Sequence, residues 1–325
     1  MIDRLTERIE ALGCPVVVGL DPTLEMLPEK LLADAVRSYG ETPEAVAFAF
    51  LKFNKQVIDA TCDVVPAVKP QIAMYERYGL DGLRAYQMTC AYAAGRGLVV
   101  IGDVKRGDIG STAAAYAAHI QPQALFGRAF DIWREDAITV NPYMGGDSVE
   151  PYLEVLRGAD KGIFVLVKTS NPGGADVQDL RVQAAAGAAG AAADAGAGEA
   201  AGGAPLYEHV ARLVSGWGAD LVGTCGYSKV GAVVGATHPE AGARLRALMP
   251  RTFFLVPGYG AQGATAADVA RFFDKDGRGC IVNSSRGITA AWKKDGGGEA
   301  SVGKAARAAA IQMRDEIAGA LGWRT

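Results

Sequence analysis

Eight short apolar runs, each followed by a longer helical pattern, punctuate this chain. The runs fall at residues 16–20, 64–68, 98–102, 137–140, 162–167, 220–223, 252–256 and 279–282. They are rich in Val, Ile and Leu and mostly continuous, the pattern of parallel strands buried on both faces. Helical patterns fill the intervals at about 43–60, 80–95, 111–118, 147–157, 206–216, 239–249, 266–273 and 301–321. A strand–helix unit repeated eight times predicts an α/β fold of the (β/α)8 TIM-barrel class, where about 250 residues is typical and insertions add length. The 325 residues then form one catalytic domain, residues 1–325. A doubly wound open sheet is the alternative. Against it, the first run leads into Gly19-Leu20-Asp21-Pro22 rather than the G-x-G-x-x-G of that fold.

Two segments stand outside the repeat. Ile2, Leu5, Ile9 and Leu12 recur at helical spacing and predict an extra amphipathic helix before the first strand. The charges around them leave no apolar core for a signal peptide. Between the fifth strand and its helix, 19 of the 21 positions from 184 to 204 are Ala or Gly, the exceptions being Asp194 and Glu199. Such a stretch cannot bury enough apolar surface to fix itself, so it reads as a flexible insertion.

Composition narrows the chemistry. A net charge of -3 gives no footprint for nucleic acid, and no apolar window is long enough to span a membrane. The expected setting is cytoplasmic. Five cysteines, Cys14, Cys62, Cys90, Cys225 and Cys280, form no CxxC pair, and His119, His209 and His238 are too scattered for a zinc motif. The histidines read as core or surface residues. What remains is chemistry by lysines and carboxylates.

In such a barrel the active site is built from the C-terminal strand ends and the loops after them. Those positions hold Asp21, Lys69, Asp103-Val-Lys105-Arg-Gly-Asp108, Asn141, Lys168-Thr-Ser170, Pro257-Gly-Tyr-Gly-Ala-Gln262 and Asn283-Ser-Ser-Arg286. Asp103 and Lys105 are two apart on a strand and point to one side, into the barrel mouth. Lys69 ends the neighbouring strand, and Asp108 follows within a turn of loop. Two lysines and two aspartates then alternate, each supporting its neighbours' ionised forms. The glycines at 258, 260 and 263, with Arg286 one strand later, suit a phosphate: backbone N–H groups on one side, a bidentate guanidinium on the other. Arg106 fits either the phosphate or a partner subunit.

At these residues the sequence resembles the orotidine 5′-phosphate decarboxylases, most closely their longer bacterial subgroup. The resemblance rests on Asp103-Val-Lys-Arg-Gly-Asp-Ile-Gly-Ser-Thr112 and continues through Gly19-Leu-Asp21-Pro22, Val68-Lys69-Pro70-Gln71, Lys168-Thr-Ser-Asn-Pro-Gly173, Pro205-Leu-Tyr-Glu208, Val256-Pro-Gly-Tyr-Gly-Ala-Gln-Gly263 and Asn283-Ser-Ser-Arg-Gly287. These landmarks run in order over most of the chain, and only the Ala/Gly segment departs. The resemblance implies decarboxylation of orotidine 5′-monophosphate to uridine 5′-monophosphate without metal or organic cofactor. It implies Lys105 as proton donor to C6, Asp103 against the departing carboxylate, and Lys69 bridging Asp103 and the ribose. Asp21 would bind ribose hydroxyls, Ser170 the pyrimidine, and Gln262 and Arg286 the phosphate, with Pro257 in the same loop. Asp108 and Thr112 would cross a homodimer interface into the partner's site. A magnesium-dependent sugar-phosphate decarboxylase or aldolase on the same barrel, or a non-catalytic nucleotide-binding barrel, are the alternatives.

Overall fold

The computed structural model describes residues 1–183, 203–260, 262–294 and 298–323. Eight parallel strands close into a barrel in which each pairs with its chain neighbours and the first pairs with the last. They are β1 (Val16–Leu20), β2 (Ala67–Pro70), β3 (Val99–Arg106), β4 (Ala137–Val140), β5 (Gly162–Lys168), β6 (Ser228–Val234), β7 (Thr252–Pro257) and β8 (Cys280–Ser284). β1 and β8 close the ring through Val16↔Val282, Val17↔Asn283 and Val18↔Ser284.

Side-chain alternation along the strands makes two apolar cores. Val17, Ala67, Val99, Ile101, Phe164, Phe253, Leu255 and Ile281 fill the barrel interior. The helix Ile2–Leu12 plugs its floor with Ile2, Leu5 and Ile9, as its spacing predicts. The alternate residues, Val16, Val18, Val68, Val100, Ile138 and Val165 among them, face outward against the helix layer, where Phe50 and Phe53 of the helix Pro43–Thr61 are buried. The interior is thereby packed solid below the mouth, and ligand access is confined to the C-terminal strand ends. Phe164 is fully buried, and a truncation such as Phe164→Ala costs about 3–5 kcal/mol in this kind of packing.

The sixth strand corrects the sequence reading. It is Ser228–Val234, not 220–223; Val222 makes only an isolated antiparallel bridge to Ser228. The true strand is disguised by Lys229 and Gly231. Lys229, at the start of the strand, donates to the Leu156 and Ala159 carbonyls at 2.8 and 3.0 Å. Gly231 lies against Phe164, whose ring would be 2.5 Å from any Cβ there. The second strand likewise starts at Ala67 rather than 64, and a helix at Glu29–Tyr39 was missing from the expected set. Residues 184–202 of the predicted insertion lie outside the described residues; at its borders Arg181–Val182 pairs antiparallel with Ala204–Pro205. Among the described residues no helix is long and apolar enough to cross a membrane.

Candidate active site

Asp103 sits at the centre of the barrel mouth with every acceptor position engaged. Its Oδ2 accepts from Lys69 Nζ at 2.7 Å and from Gln71 Nε2 at 2.9 Å. Its Oδ1 accepts from Thr139 Oγ1 at 3.0 Å and from the Lys105 ammonium. Lys69 and Asp103 are buried, whereas the Lys105 side chain is 46% exposed and projects into the open cleft. The three residues come from two adjacent strands, since Lys69 lies in β2 and both Asp103 and Lys105 in β3.

Backbone irregularity aims Lys105. The β3–β4 register shifts between Gly102 and Arg106, and Lys105 carries a φ of 44°, which is uncommon for a residue with a Cβ. Thr139 holds that conformation: its hydroxyl accepts from the Lys105 N–H at 2.9 Å while donating to Asp103. Strain retained beside a charged cluster is a mark of functional sites. Thr139 was not singled out in the sequence, although a lone hydroxyl in the run Ala-Ile-Thr-Val was the available signal. Gln71, two residues beyond Lys69 and on the same side, was equally legible.

The electrostatics follow from the same contacts. Burial acts to raise the Asp103 carboxyl, but the Lys69 and Lys105 ammonium groups outweigh it and hold the carboxyl well below the usual carboxylate range. For Lys69, burial acts to lower the ammonium, and Asp103 followed by Asp21 outweigh it, so Lys69 is raised above the usual lysine value. Both groups are therefore ionised throughout the neutral range.

Two cavities meet over this cluster and share Lys69, Asp103 and Pro257. One, of about 200 Å³, runs past Lys105, Thr139, Ser170 and Asn171 with Leu166, Val233 and Leu255 beneath. The other, of about 410 Å³, reaches past Asp21 and Asn283 to Gln262, Ser285 and Arg286. The first is the smaller slot and has an apolar floor, a lining suited to a heterocyclic ring. In the second, Asp21 Oδ1 and Asn283 Oδ1 are buried without a hydrogen-bond partner. Unpaired buried acceptors are costly and rare, and here they face a cleft that a hydroxylated ligand would fill. Asn283 is a further residue the sequence reading left unassigned.

At the far end, the loop after β7 turns through Gly258, Gly260 and Gly263, with φ of 109°, 68° and 94°, values natural only to glycine. Gly260 N–H donates to the Ala264 carbonyl at 3.0 Å, which closes the loop opposite Arg286. Arg286 opens the short helix Arg286–Thr289 and is exposed.

Asp21, Lys69, Asp103, Lys105, Ser170, Pro257, Gln262 and Arg286 thus converge on one continuous cleft. Asp108 and Thr112 do not. Asp108 lies past the β3 bulge, where its Oδ1 accepts from Ile109 N–H at 2.8 Å, and Thr112 is exposed on the helix Gly110–Ala117. The expected four-charge array is therefore a three-charge array within one chain, because the bulge turns the loop away from the mouth. Arg106 is drawn off as well, to Glu76 at 2.7 Å and over the Tyr116 ring. His119 is buried on the outer side of the barrel, 2.7 Å from Glu135 and stacked on Trp133. No histidine lines either cavity.

The whole chain is also similar to known proteins. Residues 15–297 match the sequence model of the orotidine 5′-phosphate decarboxylase / HUMPS family. The chain is 40% identical to the orotidine 5′-phosphate decarboxylase of Clostridium acetobutylicum over 98% of both chains. It is 42% identical to that of Rhodopirellula baltica, over 97% of this chain and 98% of the relative. Among solved structures it is similar to a putative orotidine-monophosphate-decarboxylase from Toxoplasma gondii, with a TM-score of 0.76 and 31% identity over 98% of this chain and 96% of that one. The Leishmania donovani OMP decarboxylase gives a TM-score of 0.70 at 32% identity, over 99% and 98% respectively.

Proposed function

The chain belongs to the orotidine 5′-phosphate decarboxylase family, and from that premise we propose that its cleft converts orotidine 5′-monophosphate to uridine 5′-monophosphate and carbon dioxide by means of the Lys69–Asp103–Lys105 array. The observation that carries the reading is the position of this array. It lies where the slot with an apolar floor meets the larger cavity that ends in Gln262 and Arg286. A pyrimidine in the slot, a ribose over Asp21 and Asn283, and a phosphate at Arg286 would place C6 of the base beside Lys105.

Each residue then has a physical task. The substrate carboxylate is brought against ionised Asp103, and the like-charge repulsion between them disappears as neutral carbon dioxide departs. The C6–carboxyl bond breaks and its electron pair remains at C6. The Lys105 ammonium, already fixed by Asp103, stabilises that developing charge and then transfers one proton to C6. The resulting neutral amine recovers a proton from solvent. Lys69 balances Asp103 and keeps it ionised, while Gln71 and Thr139 hold the carboxylate so that no reorganisation is needed during the step. The phosphate takes no part in bond breaking; its remote binding energy offsets the unfavourable approach of two carboxylates.

Substrate selectivity tests this division of labour. Arg286→Ala should raise KM for the nucleotide by about 100-fold, as expected for a lost charge-assisted pair, and should change turnover of the phosphate-free nucleoside by no more than about twofold. Equal losses for both substrates would remove the phosphate from Arg286.

Asp108 and Thr112 complete the reading from outside the chain. Neither lines the cleft of its own chain, so we place both at the cleft of a partner subunit in a homodimer. Lys105→Ala and Asp108→Ala are each inactive on this account, yet in a mixed dimer both defects fall on one site and leave the other native. Random mixing in equal amounts gives hybrids as half the dimers, hence about 25% of wild-type activity from isologous pairing. Absence of recovery after demonstrated subunit exchange would count against a shared site.

A further inference from the structure

The slot is walled on one side by the start of the loop that leaves β5, at Thr169, Ser170 and Asn171. That loop is pinned at both ends by contacts outside the reaction cluster. Lys168, the last residue of β5, is only 3% exposed, and its ammonium meets the Asp179 carboxylate at 2.5 Å. The Lys168 Nζ also lies 5.2 Å from the centre of the Tyr207 ring. Asp179 caps the short helix Ala175–Gln178, so the ion pair ties the far end of the loop back to its origin. Gln178 reinforces the tie: its Oε1 accepts from Thr169 N–H at 3.0 Å, and its Nε2 donates to Thr169 Oγ1 at 2.7 Å.

Ser170 is fixed from the other side as well. Thr237 Oγ1 donates to the Ser170 carbonyl at 3.2 Å, and Gly235 lies so close that a Cβ there would be 2.7 Å from the Ser170 Cα. The two halves of the ion pair differ in environment. The Asp179 side chain is 47% exposed whereas the Lys168 ammonium is enclosed. An enclosed ammonium is costly without its counter-charge, so the loop is held in the one conformation that keeps Asp179 docked.

We propose that Lys168, acting through Asp179, is a positioning residue that holds loop 169–180 so that Ser170 and Asn171 face the heterocycle of the substrate. It touches neither substrate nor the Asp103 cluster. The proposal rests on the nucleotide reading above and adds a separation of labour. Recognition of the base depends on the Lys168–Asp179 tie, and recognition of the phosphate does not, because Arg286 and Gln262 belong to the loops after β7 and β8.

Calorimetric titration of the full-length protein with uridine 5′-monophosphate and with ribose 5-phosphate, which lacks the base, tests it. Asp179→Asn should weaken the nucleotide about tenfold, the scale of indirect coupling through a packed network. It should leave ribose 5-phosphate within about twofold of wild type, and kcat/KM should fall mainly through KM. Lys168→Met should show the same selectivity, and the double variant should be no weaker than the poorer single, since both remove one contact. Losses equal for the two ligands, no loss for either, or additive losses in the double variant would overturn the proposal. Lys168→Met keeps the test open if Asp179→Asn does not fold, because it removes the enclosed charge itself and leaves only the half-exposed Asp179 without a partner. If the wild-type protein failed to bind uridine 5′-monophosphate at all, the nucleotide reading and this proposal would fall together.

Discussion

Lys105→Ala should lower turnover of orotidine 5′-monophosphate by on the order of 10⁵-fold while the protein keeps its fold. Two separate contributions disappear together. General acid catalysis by a positioned group is worth about 10²–10⁴-fold, and a preorganised charge facing a developing anion about 10²–10³-fold. The fold should survive because the Lys105 side chain is 46% exposed and leaves no cavity. Asp103 also keeps Lys69, Gln71 and Thr139 as partners. The measurement is kcat beside a circular dichroism melt and product binding. A variant that retained more than about 1% of wild-type kcat would contradict the assignment of Lys105 as acid, since one acid alone supplies at least about 10²-fold.

Asp103→Asn should damage both activity and stability, and stability is the distinctive readout. The substitution leaves the buried Lys69 ammonium without the charge that pays for its desolvation, a situation that costs about 3–5 kcal/mol. Chemical denaturation should show the loss, and its pH dependence has a definite sign. The Asp103 carboxyl is held below its ordinary value, so its contribution is present above about pH 4, the unfolded carboxylate value, and fades as pH falls toward the folded value. Lys69 is raised, so its contribution is present below about pH 10.4 and fades only as pH rises through the folded value. The gap between wild type and Asp103→Asn should accordingly be widest and flat from about pH 5 to pH 9 and should narrow on acidification. A gap that widened toward low pH would contradict the ionised Asp103 on which the mechanism depends.

How much of this was legible in the sequence can be read residue by residue. The barrel was legible because seven of its strands are continuous apolar runs; β6 was not, because Lys229 and Gly231 interrupt it for reasons that lie in β5 and the neighbouring helix. Helix Glu29–Tyr39 escaped because its surface charges mask a narrow buried stripe of Leu31 and Ala35. In the site, period-two alternation correctly put Asp103 and Lys105 on one side and Lys69 beside them. Asp108, expected beside them as the next turn of loop, does not join them, because the register shift between Gly102 and Arg106 turns that loop away. A bulge is a tertiary accommodation between two strands, and nothing in the run Asp-Val-Lys-Arg-Gly-Asp marks where it falls. Thr139 and Asn283 were hidden differently. Their importance lies in what they face, a carboxylate in one case and an open cleft in the other.

If lysine and aspartate side chains alone carry the decarboxylation, purified enzyme should consume orotidine 5′-monophosphate in excess EDTA. The fall in substrate absorbance and the release of carbon dioxide are recorded together. One carbon dioxide and one uridine 5′-monophosphate should appear per substrate consumed, at a rate unchanged by the chelator. A rate that vanished with EDTA and returned with magnesium, or substrate bound without conversion, would contradict that mechanism.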